Sequence, residues 1–200
     1  MAEKKQDAAT AEETVELEKK LDTLVEALSN GSRRERQQAA QSISQIAKTQ
    51  PELLVPYAND LVDALNRPEA QTRWEVLDVL TALVPYESRT CDKALVGAET
   101  ALFDEDSGPL RLAAMRFLCK LGATTENRSE KAWPLIDEGI QCYHGDLEFQ
   151  DMLLAVIDFS TGKLSDKVKQ ELVARMKFDA DNGKGALKKR ASLIVENASR

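Results

Sequence analysis

Apolar residues in this chain recur at helical spacing, and the helices they predict recur in turn. In "RLAAMRFLCKLG", residues 111–122, Leu112, Ala114, Met115, Leu118 and Leu121 share one face, the rhythm of an amphipathic helix. An arginine opens the stretch, just past the polar turn "FDEDSGPL". The same arrangement begins at Arg36 ("RQQAAQSISQIA"), Arg73 ("RWEVLDVLTALV"), Gln150 ("QDMLLAVIDFST") and Lys188 ("KKRASLIVENAS"), at intervals of 37, 38, 39 and 38 residues. Three positions after each origin stand Ala39, Val76, Ala114, Leu153 and Ala191. Seven positions after stand Ile43, Leu80, Leu118, Ile157 and Val195. At ten, Ile46, Leu83 and Leu121 hold the column, and Ser160 and Ala198 weaken it. Recurrence at this period is the mark of a solenoid.

A second amphipathic segment precedes each of these helices. Leu17, Leu21, Leu24, Val25 and Leu28 form the first, and Leu54, Leu61, Val62 and Leu65 the second. In the third unit the spacing slips by one, giving Cys91, Leu95, Ala98 and Leu102. Ala132, Ile136, Ile140 and Tyr143 follow, then Val168, Leu172, Val173 and Met176. The turns "SNGS", "NRPEA", "FDEDSG", "YHGD" and "DADNGKG" join the pairs, and Pro68 and Pro109 fall where a second helix should start, the position proline tolerates best. The unit is helix–turn–helix, repeated about five times, and neighbouring pairs must stack because one pair cannot bury its own apolar face. The expected units span about 13–49, 51–85, 87–122, 126–162 and 164–198, after a non-periodic, solvated tail over 1–12.

This pattern resembles HEAT repeats over nearly the whole chain from about residue 13. The resemblance implies an all-α protein, a right-handed α-α superhelix of about five helix pairs in one domain. It also implies a turn residue, acidic or amide, a few positions before a basic residue on the second helix. Asn30 precedes Arg36, Glu105 precedes Arg111 and Asn182 precedes Lys188, each by six residues. By resemblance, Asn30, Arg36, Arg73, Glu105 and Arg111 form a structural ladder in which the arginines tie each unit to its neighbour's turn, a charge-assisted bond that fixes register. Pro56 and Pro134 echo the family's first-helix prolines and are expected to kink those helices. Gln150 at the fourth origin, with His144 in the turn, departs from the pattern.

Composition narrows the possibilities. Apolar residues are 42% of the chain and aromatics 5%, enough for a core and weighted toward helix formers. A net charge of −7 argues against generic binding to nucleic acid or anionic membrane. No apolar run is long enough to cross a bilayer, and "MAEKKQDAATAEET" lacks a signal-peptide core; the expected location is cytoplasmic. Met1, the polar start and the ending "ENASR" read as those of a complete chain. Cys91, Cys119 and Cys142 are an odd number without a CxxC pair, and each is expected as a buried free thiol. His144 stands near Asp146 and Glu148 but has no second imidazole, so it reads as a turn residue. "GKGALKK" lacks the phosphate-loop spacing and "EDSG" the calcium-loop spacing. No catalytic residue, metal ligand or cofactor is assigned.

Surface is what remains. Positions one, five and eight after each origin lie off the apolar stripe and should form a ridge along the concave side. They read Gln37, Gln41, Ser44; Trp74, Asp78, Thr81; Leu112, Arg116, Cys119; Asp151, Ala155, Asp158. Trp and Arg together typify binding hot spots. The expected partner-binding residues are Arg36, Gln37, Gln41, Arg73, Trp74, Asp78, Leu112 and Arg116. Trp74 is open to either inter-repeat packing or partner contact, and Trp133 is expected to pack. The expected function is a non-catalytic scaffold, monomeric, for a protein partner, with no nucleic acid and no membrane insertion. The alternatives are a HEAT-like enzyme resembling bilin lyases or DNA glycosylases, a nucleic-acid-binding solenoid, or part of a larger solenoid.

Overall fold

The computed structural model describes the backbone of residues 2–200 and the side chains of residues 16–200. Ten α-helices follow one another: α1 Ala2–Asn30, α2 Arg33–Ala47, α3 Ala58–Ala64, α4 Ala70–Cys91, α5 Leu95–Leu102, α6 Gly108–Gly122, α7 Glu126–Cys142, α8 Phe149–Ser160, α9 Asp166–Asn182 and α10 Gly185–Ala198. Tight 3-10 stretches occupy Pro51–Tyr57 and Asp92–Ala94, and no strand occurs among the described residues. The even-numbered helices are the second helices of the repeat. α2, α4, α6, α8 and α10 pack side by side in chain order, and the odd-numbered helices form the layer behind them. The result is a superhelix of stacked helix pairs.

Local chemistry explains the boundaries. Ser32 caps α2 in a reciprocal capping box with Glu35, and this hydrogen bonding holds the Glu35 carboxyl below its ordinary range. Ser107, Thr125 and Ser165 cap α6, α7 and α9 through their hydroxyls. Pro109 occupies the first turn of α6. Pro68 falls two residues before α4, so that helix starts slightly later than the pattern suggests. Pro56 confines the start of the second unit to a 3-10 stretch before α3, whereas Pro134 is carried inside α7. The one-residue slip in the third unit has a visible cause. Behind Pro85, Glu87 leaves helical geometry at φ −142° and ψ 54°, and the 3-10 stretch Asp92–Ala94 follows before α5.

The expected tail at 1–12 lies outside the described side chains. From Ala2 its backbone is continuous with α1, as a run rich in Ala, Lys, Gln and Glu favours without any apolar stripe.

One core runs through every unit. Leu21 and Leu28, then Ile43, Leu61, Leu80, Leu102, Leu118, Leu153, Leu172 and Ile194 are all fully buried. Trp133 is buried too and stacks on Phe159, with ring centroids 6.4 Å apart. Cys91 and Cys119 are buried as expected, and burial pushes the Cys91 thiol up to about 11. Cys142 corrects that expectation: it ends α7 and is exposed.

Candidate functional site

Two sets of polar contacts bind unit to unit. On the second helices, Arg36 grips Glu69 and donates to the Gly31 carbonyl at 2.8 Å. Arg73 donates to Asp104 Oδ2 at 2.5 Å. Arg111 lies 3.8 Å from Glu148 Oε2, donates to the Asp104 and Glu105 carbonyls, and stands 5.1 Å over the Tyr143 ring. Glu69 is buried, and its bond to Arg36 holds its carboxyl below the usual range. At the fourth origin the polarity reverses: Arg190 of the fifth unit donates to Gln150.

The acceptors differ from those the six-residue spacing suggests. The Asn30 side chain turns back onto Glu26, one helical turn earlier. Glu105 offers its carbonyl, with its side chain in solvent. Lys188 reaches the Asp181 carbonyl in its own turn. Glu69, Asp104 and Glu148 supply the acceptor carboxylates instead.

A second row of contacts on the odd-numbered layer escaped the pattern. Tyr57 donates to Asp22 at 2.6 Å, Lys93 to Asn59 at 2.8 Å, Arg128 to both oxygens of Asp92 at 2.7 and 2.8 Å, and Arg175 to both of Asp137 at 2.5 and 2.9 Å. Each pair spans 34 to 38 residues, close to one repeat. Asp22 pushes the Tyr57 phenol up to about 12. The readable signal was an acid or amide followed one repeat later by a donor.

A groove of about 420 Å³ crosses three successive second helices. Asp78, Thr81 and Ala82 come from α4, Arg116, Cys119 and Lys120 from α6, and Asp151, Leu154, Ala155 and Asp158 from α8. Small side chains make its floor, since Cys119 and Ala155 are buried, as is Ser44 at the matching place on α2. Ser44 and Ala155 were expected on the exposed ridge, and Cys119, placed on the same ridge, is buried as its thiol was expected to be; each is too short to rise out of the crevice between adjacent helices. Charged side chains make the walls. Burial raises the Asp78 carboxyl above its ordinary value, while Arg116 and Lys48 draw it partly back. Among the described residues, the side chains of Asp78, Arg116, Lys120, Asp151 and Asp158 enter no ion pair. Burial also disfavours the Cys119 thiolate, which makes that thiol a poor nucleophile.

The other residues singled out in the sequence lie elsewhere. Trp74 and Leu112 are half-buried and pack against the core without lining the groove. Gln37 is half-buried and Gln41 exposed on α2, a helix that contributes nothing to the groove lining. Arg36 and Arg73 are engaged by the turns of the next units. His144 sits 3.2 Å from Asp179 and packs on Phe149, so its nearest carboxylate belongs to the following unit rather than to Asp146 or Glu148.

The fold and groove define a class, a helical-repeat α-solenoid of the HEAT and armadillo type. A designed armadillo repeat protein, YIII(Dq)4CqI, matches at TM-score 0.71 with 17% identity, covering 88% of this chain and 81% of that one. A second, YIII(Dq.V1)4CPAF solved in complex with the peptide (KR)4, matches at TM-score 0.72 with 16% identity over 89% of this chain and 81% of that one. An engineered protein, structural genomics target OR329, matches at TM-score 0.69 with 13% identity over 90% and 79%. No protein-family model and no curated protein matches the sequence.

Proposed function

We propose that the protein is a non-catalytic interaction scaffold that holds a partner polypeptide across its second-helix face. One contrast carries this reading. The arginines of both inter-unit rows are held by ion pairs or hydrogen bonds to the neighbouring unit, whereas five charged side chains gather around one groove and, among the described residues, enter no ion pair. Charges that stabilise a fold are paired; charges left free in a concavity, one of them on a carboxyl that burial has shifted, suit a ligand that brings the counter-charges. The likeness to a designed repeat protein solved with a peptide supports the same use of the fold. Three groove carboxylates oppose a phosphate backbone, so duplex DNA and RNA are not the ligand at physiological salt.

A photo-crosslinking residue placed at Arg116, with a second at exposed Phe178 on the opposite layer as control, tests the proposal in native lysate. A discrete polypeptide crosslinked at position 116 alone is the expected result. Equal capture at both positions, or recovery of nucleic acid at 116, would overturn it.

A further inference from the structure

The groove charges are not mixed at random. Each helix contributes one sign: α4 brings Asp78, α6 brings Arg116 and Lys120, and α8 brings Asp151 and Asp158. Along the stack the order is therefore negative, positive, negative. Adjacent packed helices lie about 8–10 Å apart. A polyproline-II chain turns once in about three residues and about 9 Å, so every third side chain returns to the same face. That period matches one repeat of the stack.

Resting on the scaffold reading, we infer that the partner segment is an extended, proline-compatible strand carrying basic, acidic and basic side chains at about three-residue spacing. The basic ends meet Asp78 and the Asp151–Asp158 pair, and the central acid meets Arg116 and Lys120. Leu154, a leucine left exposed in the groove wall on α8 between Asp151 and Asp158, receives an apolar side chain beside the third charge. The order of signs, rather than net charge, sets the register. An all-basic segment would bring a cation against Arg116 and Lys120, and an all-acidic one would face three carboxylates. Like-charge opposition of this kind is how interfaces reject wrong partners.

The test is selection of a random peptide library on the full-length wild type and on the Arg116→Glu, Lys120→Glu variant, followed by fluorescence anisotropy of labelled peptides. The probes carry Lys, Glu, Lys or the inverse Glu, Lys, Glu, with Pro and Val between the charges. The wild type should enrich basic–acidic–basic segments and bind that probe at least about tenfold more tightly than its inverse, equivalent to about 1.4 kcal/mol. The variant, checked by circular dichroism, should lose the central acid from its selected peptides and prefer three basic residues. Peptides that need Asp78 and Arg116 but follow no charge order would overturn the inference and leave the groove standing. Peptides indifferent to every groove substitution, or no enrichment at all, would overturn the scaffold reading as well.

Discussion

Arg111 illustrates why the basic residue at the start of a second helix is structural. Its guanidinium meets two main-chain carbonyls, a carboxylate and an aromatic face. Gly108 makes the approach possible, because a Cβ there would fall 1.6 Å from Glu148 Oε1. Arg111→Ala is expected to cost about 1–3 kcal/mol, the range for losing the hydrogen bonds of a charged group. Arg116→Ala, which breaks no described ion pair, should cost less than about 0.5 kcal/mol. Denaturant melts of the two variants decide this, and equal losses would contradict the division between structural and groove arginines. Asp78 offers the opposite sign. Its folded carboxyl titrates above its unfolded value, so ionising it costs more in the folded protein than in the unfolded chain. The penalty enters as pH rises past the unfolded value and is complete above the folded one. Asp78→Asn should therefore raise Tm at pH 7, and the gain should vanish in melts run below about pH 3.5, where the unfolded carboxyl is also protonated. A stability gain at the expense of binding is the usual trade at a functional position.

At the scale of elements, the sequence was legible where periodicity speaks and opaque where turns vary. Ile43, Leu80 and Leu118 are buried as their column requires, because a repeat at constant period must present the same face to its neighbour. In the last two units the buried position falls one residue earlier, at Val156 and Ile194, and leaves Ile157 and Val195 half-buried. The acceptors of the arginine row were misassigned because they stand 33 and 31 residues ahead of Arg36 and Arg73, and turn length, not helix period, sets those distances. The groove was partly legible. Asp78 and Arg116 were singled out, while Lys120 and Leu154 were missed because they sit one position off the sampled columns. Packing between elements gives a sharper test. A Cβ on Gly122 would come within 2.9 Å of both Ala132 on α7 and Phe159 on α8, so this glycine lets three helices meet. Gly122→Ala should force them apart and destabilise by about 1–3 kcal/mol, the cost of overpacking. At an ordinary exposed helix position the same change stabilises, so a thermal melt separates the two cases by sign.

The whole molecule behaves as a stack in which each pair is held by its neighbours. Residues 164–200 form the fifth pair, and their removal would undo several contacts at once. Asp137 would lose Arg175, Gln150 would lose Arg190, and Ser160 would lose Asn197. The Ser129 hydroxyl would lose the Ser165 main-chain amide. The apolar loss is larger still, since Leu164, Val168, Leu172, Met176, Ala191 and Ile194 all belong to the continuous core. A solenoid's stability is a sum of weak units and strong interfaces, so the fourth pair should not survive with one face bare. Truncation before Leu164 is expected to give a protein that binds a hydrophobic dye, aggregates at micromolar concentration and melts with reduced cooperativity. The groove gives an independent reading of the same variant. Because α8 forms one wall of it and packs on α10, loss of the fifth unit should weaken peptide binding although no groove residue has been removed. A truncated protein that stays soluble, melts as sharply as the full chain and binds peptide with undiminished affinity would mean that the last pair is an appendage to a stack already complete at four.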